Sequence, residues 1–173
     1  MAEAKDPPAA GNGMYSTYLE TRDRFFSDDL RKPHPMPMED LLPALMDAVD
    51  QLSKYAIPDV LPPVRRVPHE RIEELACGGN KCGALAAYRS GEGIYIDEAL
   101  KSETDLFARS VLLHELVHYV QDVSKELAGA QACDRWYRRE QEAYAIQKRF
   151  LMLVGSQVRV AYSGGSSCEQ DKG

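Results

Sequence analysis

Hydrophobic residues recur every three or four positions in three long parts of the chain. Residues 39–55, residues from about 103 to 123 and residues 134–154 all show this spacing. It places the apolar side chains on one face of a helix, so each segment predicts a helix that packs on a core. The third stripe includes Ala143 and Ile146.

Shorter apolar runs between these helices predict a small sheet. Residues 93–97 are rich in β-branched and aromatic side chains, and a short polar turn joins them to residues 84–88, so the two runs predict two strands. Prolines restrict residues 61–67 to a short edge strand at most, and a short helix is expected over 68–76. Only residues 157–162 offer a further strand. These elements predict an α+β fold that is mainly helical.

The 173 residues suit a single domain with a sizeable core. We expect that domain to span residues 38–162. Prolines, glycines and charges dominate residues 1–37, which predict a mobile segment with a short helix near 15–26, followed by a Pro-rich linker. The Gly/Ser-rich residues 163–173 predict a flexible tail.

The charge pattern argues against nucleic acid as the main partner, because phosphate binding needs a basic face and the net charge is -6. One locally basic and aromatic segment, residues 135–139, is followed at once by Glu140 and Glu142. We therefore expect it to be a solvated helix face with Trp136 buried. No apolar run approaches the roughly 20 residues that a membrane span requires.

The four cysteines bear on whether the protein works in an oxidising or a reducing cellular compartment. Cys77 and Cys82 bracket a Gly-Asn turn that suits a small disulfide loop, and pairing Cys133 with Cys168 would tie down the tail. Four cysteines allow three connectivities, and four reduced thiols in a cytosolic protein remain the alternative. Residues 1–13 lack the apolar core of a signal peptide. Export with a signal already removed is the preferred expectation, and a cytoplasmic location is the alternative.

The second predicted helix contains an H-E-x-x-H box at residues 114–118. His114 and His118 lie four residues apart, so both imidazoles can reach one ion, while Glu115 lies beside that ion and can take a proton from bound water. Ser102 and Asp105 resemble a capping box at the start of this helix, with Thr104 as an alternative cap. The competing interpretation is a buried helix whose two histidines are only hydrogen-bonded.

A catalytic zinc ion usually takes three protein ligands, so a third is sought elsewhere. His34 lies in the Pro-rich linker and His69 begins a different short helix, and both are better interpreted as surface residues. Glu142 borders the apolar stripe of the last helix and is the expected third ligand. Glu140 faces about 200° away from it and is the runner-up.

His114-Glu-x-x-His118 followed by Glu142-Ala-Tyr-Ala resembles the compact gluzincins, particularly small bacterial zincins of the ImmA/IrrE type. The resemblance covers roughly residues 84–150. It implies a minimal zincin with a small sheet beside the motif helix, one catalytic Zn²⁺ ion held by His114, His118 and Glu142, and a strand that can pair with an extended peptide. The Asn that often follows Glu-Ala in that type is missing, and no DNA-binding region accompanies the motif.

These placements predict a zinc metallopeptidase acting on a peptide or protein, more in the manner of an endopeptidase than an exopeptidase. Glu115 would act as general base towards the zinc-activated water. The oxyanion needs another electrophile, and three phenols qualify equally: Tyr88, Tyr119 and Tyr144.

Partners for the two imidazoles stay open, with Asp97 and Asp122 as possibilities. Two other functions also remain open. One is a zinc-binding interaction module without turnover, and the other is a zinc amidohydrolase acting on small or cell-wall amides.

Overall fold

The computed structural model describes residue 30, residues 35–129 and residues 131–162. Four helices and three strands have their bounds within these residues: α1 (Met38–Leu52), β1 (Val64–Val67), α2 (His69–Cys77), β2 (Ala86–Arg89), β3 (Gly93–Asp97), α3 (Leu106–Ser124) and α4 (Ala132–Leu153). The expected mainly helical α+β fold is confirmed. The predicted helix at 15–26 and the predicted flexible tail lie outside the described residues.

The sheet has the order β1-β3-β2, with β3 in the centre. β1 pairs with β3 in parallel and β2 pairs with β3 antiparallel. Residues 61–67 therefore supply only a short edge strand, as predicted. β2 begins two residues later than expected, at Ala86, and it forms the other edge of the sheet.

Gly93 begins β3 with a φ of 117°. A Cβ atom at this position would lie 2.5 Å from the carbonyl oxygen of Pro63. Both the positive φ and the close approach require glycine, which explains how a chain leaving the tight turn can pair at once with β1.

The core lies between the sheet and the three longer helices. α1 buries an apolar face that packs against α3 and α4, and Leu112, Leu116 and Val117 of α3 are fully buried. Leu30 also joins this core, with 3% of its surface exposed. The burial of α3 on nearly all sides explains its weak amphipathic pattern and holds the H-E-x-x-H box rigidly inside the domain.

The start of α3 differs from the predicted capping box. Asp105 itself is the N-cap, and its carboxylate accepts a hydrogen bond from the backbone N–H of Ala108 at 2.7 Å. Ser102 lies in the preceding turn, where it is fully buried. The buried Arg109 donates from Nε to the Ser102 carbonyl, so the loop is fixed to the helix that follows it.

The predicted strand at 157–162 is wrong, since these residues run without strand pairing. Arg159 instead donates to the carbonyls of Ser156 and Val158 within the same segment. The structure places the sulfur atoms of Cys77 and Cys82 2.03 Å apart, in the geometry of the expected disulfide. Cys133 is also disulfide-bonded, while its expected partner Cys168 lies outside the described residues.

No described helix combines the length and the apolar character needed to cross a membrane.

Candidate metal centre and cleft

Three side chains from two helices converge on one point. His114 and His118 project from adjacent turns of α3, and their Nε2 atoms face each other at 3.1 Å. Glu140 approaches from α4, with one carboxylate oxygen 3.0 Å from the Nε2 of His118 and the other 3.5 Å from the Nε2 of His114. Within the described residues, these three side chains form a group whose ligand atoms lie close enough together to hold a metal ion.

Gln147 sets the orientation of His114. Its Oε1 lies 3.0 Å from the Nδ1 of His114, and its side-chain nitrogen donates to the hydroxyl of Ser110 at 3.0 Å. Ser110 gives its own proton to the carbonyl of Phe107, so the hydroxyl oxygen must accept from Gln147. The amide is thereby fixed with its oxygen towards His114, and the Nδ1 of His114 carries the proton.

Gln121 has the same effect on His118. Its Oε1 lies 2.9 Å from the Nδ1 of His118. Its side-chain nitrogen donates to the carbonyl of Arg139 at 3.2 Å and to the carboxylate of Glu142 at 2.9 Å. Because both of these partners can only accept, the amide oxygen must face His118, which places the proton on Nδ1.

These two amides leave both Nε2 atoms of the neutral imidazoles as lone-pair acceptors. Together with the Glu140 carboxylate they form a buried cluster of acceptors, which is stable only around a proton or a cation. The separations of 3.0 to 3.5 Å also fit a metal ion. Tetrahedral zinc with bonds of about 2.0–2.1 Å places its ligand atoms about 3.3 Å apart.

The electrostatics agree with a site that attracts positive charge. Burial opposes ionisation of the Glu140 carboxyl, but hydrogen bonds with His114 and His118 lower its pKa well below the ordinary value. Burial also opposes the charged form of His118, yet Glu140 and Glu115 raise its pKa.

Glu115 lies beside this cluster and not within it. Its side chain is 8% exposed and lines the same cleft as His114, His118 and Glu140. Among the described residues its carboxylate has no hydrogen-bond partner, although it is largely buried. A carboxylate in this position is available to accept a proton from a water molecule at the cluster.

The cleft has a volume of about 840 Å³. One wall is the segment from Gly83 through β2, and the opposite wall consists of residues on α4 together with residues 159–161. Within the described residues β2 is an edge strand that pairs with β3 alone, and all four of its residues line this space. The cleft is therefore a groove that an extended chain can enter, with the three converging side chains at its base.

Tyr144 adds a phenol to the wall of the cleft. It follows Glu140 by four residues on α4, and its ring centroid lies 4.6 Å from that of His114 in an edge-to-face arrangement. Burial raises the pKa of its hydroxyl, and the nearby charges of Glu140 and Glu115 act in the same direction. The phenol therefore keeps its proton and can donate a hydrogen bond.

The structure corrects the predicted third ligand. Glu142 lies away from the histidines, where it accepts hydrogen bonds from Tyr55 and Gln121. The apolar stripe of α4 has two borders: Glu140 lies on the border that faces the box, and Glu142 lies on the border that faces Tyr55. The runner-up, Glu140, occupies the position expected of Glu142.

The acidic candidates for imidazole partners are also placed elsewhere. Asp97 contacts the Nδ1 of His69 at 2.7 Å, and Asp122 accepts from the hydroxyls of Tyr88 and Ser90. The sequence-based interpretation missed the two glutamines because they carry no charge. One signal was present for Gln147, since it follows Glu140 by two helical turns and so shares its face.

Trp136 was expected to be buried and is instead 55% exposed at the rim of the cleft. His34 lies outside the described residues.

Comparison with protein-family models, curated proteins and solved structures gives no match. The geometry of the site is therefore the basis for a function.

Proposed function

We propose that this protein is a zinc-dependent peptidase, with the metal held by His114, His118 and Glu140 and with Glu115 as the general base. The observation that carries the proposal is the convergence of three acceptors whose imidazole tautomers are fixed by Gln121 and Gln147. Imidazole and carboxylate are ligands that zinc takes in catalytic sites, and three of them leave one position open.

Zinc, when bound, would lower the pKa of a coordinated water from about 16 towards about 7 and polarise the carbonyl under attack. Glu115 accepts the proton of the attacking water, which forms a bond to the carbonyl carbon. The same carboxyl then delivers the proton to the nitrogen as the carbon–nitrogen bond breaks. The position of Glu115 in the cleft, next to His114 in the chain and outside the converging group, suits both transfers.

Tyr144 is the best-placed of the three phenols for the developing oxyanion. It packs on His114 and lines the cleft. Tyr88 donates its proton to Asp122, and Tyr119 donates to the carbonyl of Val60, so both of these phenols are already engaged. A hydrogen bond from Tyr144 would strengthen as charge develops on the oxygen of the carbonyl.

The shape of the cleft favours a peptide over a small amide. An extended substrate can add to the free edge of β2 through main-chain hydrogen bonds. This orients a peptide bond in the groove and gives the enzyme an endopeptidase character. The disulfide between Cys77 and Cys82 supports an oxidising compartment for this activity.

The test compares the native chain with Glu115→Gln and with Glu98→Gln, a change at an exposed glutamate outside the cleft. Each protein is loaded with zinc, its metal content is measured by elemental analysis, and cleavage of a mixed peptide library is followed by mass spectrometry. We expect all three to hold zinc, and Glu115→Gln alone to lose activity by about 10²–10⁴-fold.

Equal cleavage by the native chain and Glu115→Gln would remove Glu115 from the chemistry. Zinc binding without turnover in any of the three proteins would favour an interaction module over a peptidase. Activity on small amides but not on peptides would favour an amidohydrolase.

A further inference from the structure

The walls of the cleft carry an excess of positive charge. Four arginines line it: Arg89 at the end of β2, Arg135 and Arg139 on α4, and Arg159 in the terminal segment. Among the described residues, the acidic ones that line it are Glu140, in the converging group, and Glu115 beside that group. This is the reverse of the whole chain, whose net charge is -6.

Carboxylates do not pair with these guanidinium groups within the described residues. Arg135 donates to the carbonyl of Ala128 at 3.2 Å, and Arg139 donates to the carbonyl of His118 at 3.2 Å. Arg159 donates to two carbonyls of its own segment. A carbonyl oxygen satisfies one N–H group of an arginine but leaves its charge and its other donors available.

Two arginines outside the cleft do form ion pairs with carboxylates, although others there also donate to carbonyls. Arg66 pairs with Glu103, and Arg71 pairs with Glu74 at 2.7 Å. Carboxylates in the described residues therefore do form ion pairs with arginines, but not with the arginines of the cleft. Arg139 comes closest to neutralisation, because it lies near enough to Asp122 to help lower the pKa of that carboxyl.

From this arrangement we infer that the cleft selects acidic peptides, with carboxylate side chains flanking the bond that lies over the candidate centre. The inference rests on the proposed peptidase function and adds its substrate class. Guanidinium groups bind carboxylates through paired hydrogen bonds, and they repel a basic peptide in the same groove. The arginines lie on both walls, so acidic side chains near that bond meet a complementary charge whichever wall they point towards.

The first test measures kcat/KM for pairs of peptides that differ only by Glu or Gln at positions flanking the cleaved bond. We expect the zinc-loaded native protein to prefer the Glu peptide by about tenfold or more, the usual effect of one charge-assisted contact. Arg89→Gln with Arg135→Gln should remove most of this preference. Arg89→Lys with Arg135→Lys should keep part of it, because the charge remains.

Arg138→Gln is the matched control, since Arg138 lies on α4 between Arg135 and Arg139 but is exposed and outside the cleft. It should leave the preference unchanged. Equal kcat/KM for Glu and Gln peptides in the native protein would overturn the inference while leaving the peptidase function intact. An equal loss of preference in Arg138→Gln would also overturn it, because the effect would then come from net charge alone.

The second test does not depend on turnover. Zinc-loaded Glu115→Gln is titrated with the same fluorescently labelled peptides, and anisotropy gives their affinities at low and at raised salt. We expect tighter binding of the Glu peptide, weakened by salt and lost with Arg89→Gln and Arg135→Gln. If the native chain also cleaves no peptide, this result would support the acidic selectivity even though the peptidase function had failed. Equal affinities for the two peptides would overturn the selectivity.

Discussion

Gln121 donates a hydrogen bond from its side-chain nitrogen to Glu142 at 2.9 Å, and this contact places Glu142 behind His118 rather than in the candidate metal-binding group. Tyr55, three residues beyond the end of α1, donates to the same carboxylate. Glu142 therefore acts on the site through Gln121, whose amide oxygen accepts from His118. Glu140 belongs to the candidate metal-binding group, whereas Glu142, two residues further on, holds Gln121 in place.

This division predicts unequal losses of zinc affinity. Glu140→Ala removes a ligand atom from the cluster and should abolish stoichiometric zinc binding. Glu142→Ala removes only support for Gln121, and it should weaken zinc by about 10–100-fold, the usual effect of losing such an outer partner. Competition with a chromophoric chelator measures both affinities.

Glu126→Ala serves as control for the Glu142 result, because Glu126 is exposed and pairs with Lys54 at the surface. Its zinc affinity should equal that of the native chain. A larger loss with Glu142→Ala than with Glu140→Ala would restore Glu142 as the ligand and contradict the geometry described above.

A separate prediction concerns Tyr144 in the proposed reaction. Tyr144→Phe keeps the ring that packs on His114 but removes the hydroxyl. We expect kcat to fall by about 10²–10³-fold, the usual effect of losing one oxyanion donor, with little change in KM or zinc content. Peptide cleavage kinetics at saturating zinc measure this.

Tyr137→Phe is the matched control on the same helix, since its ring contacts Trp136 and Tyr162 and lies outside the cleft lining. It should retain the kcat of the native protein. A Tyr144→Phe variant with native kcat would assign the oxyanion contact to another group.

The sequence predicted the parts of this site that depend on local geometry. Residues four apart lie on the same face of any helix, so the proximity of His114 and His118 could be predicted without knowledge of the fold. The choice between Glu140 and Glu142 depends on how α4 is rotated against α3, which is a property of tertiary packing. Both glutamates border the same apolar stripe, and only their partners on α3 and in the segment after α1 distinguish them.

The same reasoning explains the other differences. Gln121 and Gln147 are neutral amides that look like ordinary helix residues in a sequence, and their role appears only once the two helices are packed. Residues 157–162 have the composition of a strand, but composition does not decide whether a segment comes within hydrogen-bonding distance of another strand, and here they pair with none of the described strands. The position of β1 was predictable, because its flanking prolines exclude it from the centre of a sheet.

The last prediction concerns pH and the contact between His69 and Asp97, which ties α2 to β3 at 2.7 Å. The other ring nitrogen of His69 lies 3.2 Å from the carbonyl of Cys82 and 3.6 Å from a carboxylate oxygen of Glu73. Both nitrogens face acceptors, so the doubly protonated ring is favoured. The hydrogen bond with Asp97 raises the pKa of His69 most, against a smaller opposing effect of burial.

Because the pKa of His69 is higher in the folded chain than in the unfolded chain, its contribution to stability is fully present below about pH 6.5 and is lost as the pH rises through the folded value. Thermal melts of metal-free protein between about pH 5 and pH 9 compare the native chain with His69→Gln. We expect the native chain to have the higher Tm at low pH and this difference to shrink as the pH rises. A difference that stays constant across the range would show that His69 is held as a neutral ring.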